Sequence, residues 1–333
     1  MNSQQITLAS RPQGLPTAEN FSLVTTPLPQ LSDGEVLVKN MWMSVDPYMR
    51  GRMVDRKSYI PPFQIGQVLE GGAIGEVIQS LNAQFPVGTK VNSMSGWRDL
   101  FISNGTDLTA IPETGLALSH FLGVLGMPGM TAWTGLNRIA KLQAGETLFV
   151  SAASGAVGSV ACQIGKLMGA KVVATVGSDE KADKLRALGV DAVINYKTCG
   201  DLTQALAAAA PEGIDVYFEN VGGDHLVAAL NQMKDHGRIA VCGMIAQYND
   251  TEATPGPSNI AQIVIKKLKL EGFIVFEHWD HYGEFAAQMG TWLQQGKVKA
   301  EQTIYDGLEN APAAFIGLFE GKNSGKMLVK LAD

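Results

Sequence analysis

Residues 147–178 constrain the fold of this chain more than any other stretch. Thr147-Leu148-Phe149-Val150 is a short apolar run with the β-branched and aromatic residues of a buried strand. It opens into Ala152-Ala153-Ser154-Gly155-Ala156-Val157-Gly158, after which Val160, Ile164 and Leu167 recur at helical spacing as far as Gly169. Residues 171–176 then read as a second, parallel strand. Strand, glycine turn, helix and strand form half of a dinucleotide-binding βαβ unit. Gly155 and Gly158 let the backbone approach a pyrophosphate, and the free N–H groups at the helix start favour its negative charge. The spacing is Ala-X-X-Gly-X-X-Gly rather than Gly-X-Gly-X-X-Gly, and a tight turn without a ligand can share it.

The alternation continues beyond this unit. Helical spacing covers 179–188, 201–210, 224–233 and a stretch near 259–267, and strand-like runs cover 192–196, 214–219, 238–242 and 270–276. With the opening pair that makes six strands separated by helix-length segments, which predicts a doubly wound parallel sheet, because parallel neighbours need crossovers. Such sheets bind ligands at the carboxyl ends of their strands. Residues 21–112, by contrast, alternate in short runs broken by Gly, Pro and Asp, an all-β pattern. There Asp33-Gly34 predicts a hairpin turn, and glycines at 66, 71, 72, 75 and 88 suit a strongly curved, barrel-like sheet. Between 119 and 142 the period is helical, interrupted at Pro128-Gly129. Helices are expected from beyond Trp279 to 293 and over 310–320, and a final strand at 326–331 is expected to return to the first domain.

Composition narrows the function classes. A net charge of −6, with no basic tract or stacking-aromatic cluster, gives no general attraction to nucleic acid or an anionic membrane. Residues 1–11 are polar and lack the apolar core of a signal peptide, and no apolar run reaches membrane-spanning length. Cys162, Cys199 and Cys242 lie far apart, which argues against a disulfide framework and for a reducing cytoplasm. A catalytic metal needs about three converging Cys, His or acidic ligands. Neither the five histidines (120, 225, 236, 278 and 281) nor the cysteines include a residue in the first hundred, so no metal is expected, although His278 and His281 are spaced like a ligand pair. Ser154 follows a strand as a nucleophile would, but Gly-X-Ser-X-Gly spacing is absent.

Each strand end carries a candidate. The second ends at Gly177-Ser178, where an acid would bind the ribose diol of NAD. Asp179 and Glu180 follow, where they equally serve the first turn of a helix. Lys181 suits a 2′-phosphate or an ordinary solvated helix surface, and Tyr196 at the third strand end can place a hydroxyl beside it. The fourth ends at Asn220, whose amide suits a ribose or common turn chemistry. The fifth ends in Cys242-Gly243-Met244-Ile245-Ala246-Gln247-Tyr248-Asn249, where Gly243 permits close approach. Tyr248 is a phenol with an ordinary pKa of about 10. It is either a donor in the cleft or a ring packed on a loop.

Taken together, these residues resemble a zinc-independent medium-chain dehydrogenase/reductase, in the branch of prostaglandin reductases, leukotriene hydroxydehydrogenases and 2-alkenal (double-bond) reductases that includes the bacterial curcumin reductases. The match covers nearly the whole chain. Its most specific pieces are Ser44-Val45-Asp46-Pro47-Tyr48-Met49-Arg50, Gly126-Met127-Pro128-Gly129-Met130-Thr131-Ala132-Trp133 and Ser154-Gly155-Ala156-Val157-Gly158-Ser159; further on come Gly177-Ser178-Asp179-Glu180-Lys181, Asn195-Tyr196-Lys197, Glu219-Asn220-Val221-Gly222-Gly223 and the loop 242–249. The resemblance implies an α/β protein. A GroES-like β-barrel substrate and catalytic domain would comprise 1–127 with 305–333, and a doubly wound Rossmann NADPH-binding domain would comprise 128–304. It implies that Gly66-Gln67 stands where zinc-dependent relatives carry Gly-His. It assigns NADPH to Gly155, Ala156, Val157, Gly158, Lys181, Tyr196 and Asn220, to the loop Cys242, Gly243, Met244, Ile245, Ala246, Gln247 and Tyr248, to Phe273, Ile274 and Val275, and to Asn323. Lys181 and Tyr196 would contact the 2′-phosphate, and Tyr48 would line the substrate pocket.

The implied reaction is reduction of a carbon–carbon double bond conjugated to a carbonyl in a small enone or enal. Hydride goes to the β-carbon and negative charge to the carbonyl oxygen, so a donor aimed at that oxygen is required. Tyr248 is the candidate. The runner-up activity is an NADPH-dependent quinone reductase. A non-enzymatic NADPH-binding protein and an alcohol dehydrogenase rank lower. A homodimer follows from the resemblance alone, with 270–276 as the edge that would pair.

Overall fold

The computed structural model describes residues 1–332. The chain forms two compact units, one of residues 1–122, 302–323 and 327–332 and one of residues 123–301 and 324–326.

The first unit begins with β1 (Asn2–Leu8) and β2 (Phe21–Pro27), an antiparallel pair on its own. β3 (Val36–Ser44), the short α1 (Met49–Arg52), β4 (Ala73–Ser80), β5 (Lys90–Ser93), β6 (Leu100–Ser103) and β7 (Thr109–Ala110) follow. The polar stretch 1–11 nevertheless carries β1, whose apolar face is formed by Ile6 and Leu8, both buried. Asp33-Gly34 is a turn, with Gly34 at φ +83°, but not a hairpin. It joins β2 and β3, which lie in different sheets.

The second unit opens with α2 (Met127–Thr134), which Pro128 starts rather than interrupts, since proline costs nothing where N–H groups are unpaired anyway. Then come β8 (Thr147–Val150), α3 (Gly158–Leu167), β9 (Lys171–Val176), α4 (Asp179–Ala187), β10 (Ala192–Asn195), α5 (Leu202–Ala209), β11 (Ile214–Glu219), α6 (Gly223–Gln232), β12 (Met233–Val241), α7 (Gln262–Ile265), β13 (Lys269–Gly272) and α8 (Tyr282–Gln294). The six strands are parallel in the order β10-β9-β8-β11-β12-β13, so the order reverses between β8 and β11, where a doubly wound sheet opens its ligand crevice. All four residues of β8 are buried, as a strand covered on both faces requires. Helix starts follow capping chemistry: Ser178 Oγ accepts from the Lys181 N–H and Asp201 from the Gln204 N–H.

Two strands differ from expectation. β12 begins at Met233 rather than 238, with a register shift that absorbs the polar Lys234-Asp235-His236. β13 stops at Gly272 instead of 276, because the Phe273 ring meets Phe218 edge-on at 6.5 Å rather than continuing the ladder. The helix expected near 259–267 is only the four residues of α7.

The chain closes with β14 (Gln302–Asp306), α9 (Ala311–Phe319) and β15 (Lys326–Lys330). β14, β15, β3, β4, β5 and β7 form one curved sheet, with β6 on β3 and β15 antiparallel to β3, as expected of the last strand. The core of the first unit joins both ends of the chain: Phe21 stacks on Trp97 at 5.9 Å, and Phe315 of α9 meets both edge-on at 6.1 Å.

Candidate active site

The glycine turn at the end of β8 is tight. Ala152 adopts φ +46°, its carbonyl accepts from the Gly155 N–H (3.0 Å), and a Cβ on Gly158 would lie 2.5 Å from the same oxygen. Helix α3 therefore starts against the strand, which only glycine allows. Among the described residues no acceptor takes the N–H groups of Ala156, Val157 and Gly158. Three unpaired donors at a helix start, on a turn without bulky side chains, suit a pyrophosphate. Gly325 reaches this turn from the carboxyl-terminal segment, donating its N–H to Ser154 O at 2.7 Å and pairing with Gly155.

The turn that follows β11 is organised by a buried acid. Glu219, fully buried at the end of β11, accepts at one carboxylate oxygen from the Tyr217 hydroxyl (2.6 Å), Ser151 Oγ (3.1 Å) and the N–H groups of Val221 (2.6 Å) and Gly222 (2.9 Å). Burial pushes its carboxyl up, against the hydrogen bonds, the Tyr217 hydroxyl foremost, that favour the anion. Oε2 is buried and has no hydrogen-bond partner among the described residues. Asn220 is fixed in turn: its N–H donates to Ser151 Oγ (3.0 Å) and its amide to Ser151 O (2.8 Å). Charge at the end of the apolar run Val216-Tyr217-Phe218 was the available signal for Glu219.

The loop after β12 is zipped onto this turn. Cys242 and Gly243 donate their N–H groups to Glu219 O, Ile245 to Asn220 O and Ala246 to Val221 O. Met244 packs over Gly222, whose φ of +78° needs glycine. Burial, then the nearby Glu219, pushes the Cys242 thiol up to about 12, so it is no nucleophile. The chain turns through Ile245-Ala246-Gln247, and the Tyr248 hydroxyl returns over Gly243, 2.9 Å from where a Cβ would be. Asn220 and residues 242–248 are thus brought together at the reversal of strand order.

Lys181, Tyr196 and Lys197 gather at the ends of β9 and β10. A Cβ on Gly177 would lie 3.1 Å from the Tyr196 hydroxyl and 3.4 Å from Lys197 Cε. Burial and the Lys197 charge lower the Lys181 pKa. Asp179 accepts from the Asn195 amide at 2.8 Å, so the acid that suits NAD is engaged by a neighbouring side chain.

Phe273 packs on Phe218 and Val275 is buried, with Ile274 between them. In the other unit, Tyr48 precedes α1, where burial and then Asp46 push its phenol above the ordinary range and keep it protonated. Asn323 precedes the Gly325 tether by two residues in the chain. Gln67 is exposed. Among the described residues no group of three or more His, Cys, Asp or Glu side chains is placed to hold a metal ion. No helix among them is long and apolar enough to cross a membrane.

Two family models match: an N-terminal domain of oxidoreductase over residues 4–111 and a zinc-binding dehydrogenase domain over 156–292. The NADPH-dependent curcumin reductase of Escherichia coli (strain K12) is 43% identical over 331 residues, 98% of this chain and 96% of that protein. Prostaglandin reductase 1 of Bos taurus is 45% identical over 99% of both chains. The crystal structure of CurA from Vibrio vulnificus in complex with NADPH superposes with a TM-score of 0.94 at 45% identity, over 99% of each chain. The chain belongs to the zinc-independent medium-chain dehydrogenase/reductases, in the branch of the prostaglandin, 2-alkenal and curcumin reductases.

Proposed function

We propose that this protein is an NADPH-dependent reductase of the carbon–carbon double bond of α,β-unsaturated ketones and aldehydes, curcumin-like enones included. The observation that carries this is the Tyr248 hydroxyl folded over Gly243, on the loop that closes the crevice at the strand reversal. NADPH, when bound, supplies a hydride to the β-carbon of the substrate. The rest falls to the chain. The N–H groups of Ala156, Val157 and Gly158 hold the pyrophosphate, Lys181 and Tyr196 the 2′-phosphate, and Asn220 the ribose. The loop 242–248, Phe273, Ile274, Val275 and Asn323 complete the cofactor site. Tyr248 donates to the carbonyl oxygen as charge accumulates there, and a donor placed beforehand needs no reorganisation at that moment. Tyr48 lines the substrate pocket, its phenol a hydrogen-bond donor rather than an anion at neutral pH.

In this reading the unit of residues 123–301 is the NADPH-binding domain and the other unit supplies the substrate and catalytic domain. The test is turnover of an enone, an enal and a quinone with NADPH and NADH, and of an allylic alcohol with NADP+ and NAD+. The enone and enal with NADPH should give the highest kcat/KM, and turnover should survive a chelator. A preference for quinones, or loss of activity with the chelator, would contradict the assignment.

The same reading makes the protein a cytoplasmic homodimer. Its three cysteines are free thiols, as a reducing compartment keeps them. β13 is an edge strand with exposed Ile265 and Phe276 close by in the chain, an edge that a second copy would cover. Light scattering should read twice the 35.5 kDa chain mass, and a monomer would refute the pairing.

A further inference from the structure

The corner where β9 and β10 end holds more positive charge than one phosphate-binding lysine requires. Lys197 follows Tyr196, whose N–H donates to Val176 O (3.0 Å), and its own N–H donates to Asn195 Oδ1 (3.1 Å). Its stem passes over Gly177, with Cε 3.4 Å and the Tyr196 hydroxyl 3.1 Å from where a Cβ would be. Lys181 lies close enough to sense its charge.

The acids at the start of α4 do not pair with Lys197. Asp179 accepts from the Asn195 amide (2.8 Å), and Glu180 pairs with Lys184 (2.9 Å). Among the described residues no carboxylate forms an ion pair with Lys197, whereas Lys90, Lys166, Lys184, Lys234, Lys267 and Lys269 each have one. Two ammonium groups near each other without a shared acid repel, and a dianion placed between them reverses the sign of that interaction. The Tyr196 ring is held edge-on by His225 at 5.0 Å. Burial pushes the His225 pKa down to about 4, so that ring brings no third charge.

We propose that Lys197 is a specificity-determining residue, the second cation beside Lys181 for the 2′-phosphate of the nucleotide. This rests on the NADPH reading above and adds to it a division of labour. Lys181, half-buried in the first turn of α4, fixes the phosphate from one side, and Lys197, exposed, closes over it from β10. Neither ammonium has a partner on a 5′-monophosphate nucleotide that lacks the second phosphate.

Calorimetric titration with adenosine 2′,5′-bisphosphate and with 5′-AMP separates the possibilities without turnover. Lys197→Ala should weaken the bisphosphate about tenfold, as for one partly screened charge-assisted contact, and leave 5′-AMP within about twofold. Lys197→Arg should restore most of the loss, and the salt dependence of bisphosphate binding should be shallower in Lys197→Ala. Equal losses for both nucleotides, or no loss while Lys181→Ala still abolishes the preference, would overturn the role of Lys197 alone. Equal affinity of the unaltered protein for the two nucleotides would overturn the NADPH reading itself.

Discussion

Tyr248→Phe should lower kcat with an enone by about 30- to 1,000-fold, the equivalent of ~2–4 kcal/mol for a donor lost from a developing oxyanion. NADPH affinity should stay within about twofold, because the loop is held by other groups. Four backbone N–H groups, those of Cys242, Gly243, Ile245 and Ala246, tie it to residues 219–221, and the phenol oxygen takes part in none of these bonds. The ring remains in phenylalanine, so packing over Gly243 is kept while the donor is removed. Steady-state kinetics with a direct NADPH titration checks both halves. Unchanged kcat would return Tyr248 to a packing role, and a parallel loss of NADPH affinity would mean that the hydroxyl serves the cofactor rather than the substrate.

Gly325→Ala is expected to be the most damaging single-methyl change in the cofactor unit. Gly325 sits at φ +69°, and an added Cβ would lie 1.9 Å from the carbonyl oxygen of Glu301. Gly296 provides the control, because its φ is +68° with nothing within 4 Å of an added Cβ. Left-handed strain alone, as in Gly296→Ala, costs about 1–2 kcal/mol. A backbone collision adds about 1–3 kcal/mol. Gly325→Ala should therefore destabilise by about 3 kcal/mol or more and lower Tm by roughly 6 °C or more. It should also weaken NADPH, since the Gly325 N–H holds Ser154 O beside the turn that presents the Ala156, Val157 and Gly158 donors. Gly296→Ala should leave NADPH affinity unchanged. Equal Tm losses in the two variants, with equal affinities, would show that the tether does not shape the turn.

The parts of this architecture legible in the chain are those that local chemistry specifies. The β8 turn and α3 follow from an apolar run, small residues and helical spacing. Ser178 and Asp201 mark helix starts because their side chains cap the N–H groups of the next turn. The role of Glu219 was not legible, although the residue was in view. Three of its four donors are local, but its tie to Ser151, the residue after β8, needs β8 and β11 to be neighbours, which nothing local states. The tie from Gly325 to Ser154 is equally non-local. β13 falls short of its apolar run for the opposite reason: the apolar residues Phe273 to Phe276 suit a strand, but Phe273 packs on Phe218 instead of adding one more ladder residue at a sheet edge. β1 hid behind polar residues because only Ile6 and Leu8 give it an apolar side.

The central claim is that reducing equivalents from a phosphorylated nicotinamide reach the carbon β to a carbonyl. It is tested most directly by supplying NADPH deuterated at C4, in each of its two epimers, with a simple acyclic enone and locating the label in the product by NMR. The expected result is a saturated ketone carrying deuterium at the β-carbon from one epimer only. Deuterium at the carbonyl carbon of an allylic alcohol, or a saturated ketone with no label from either epimer, would contradict it.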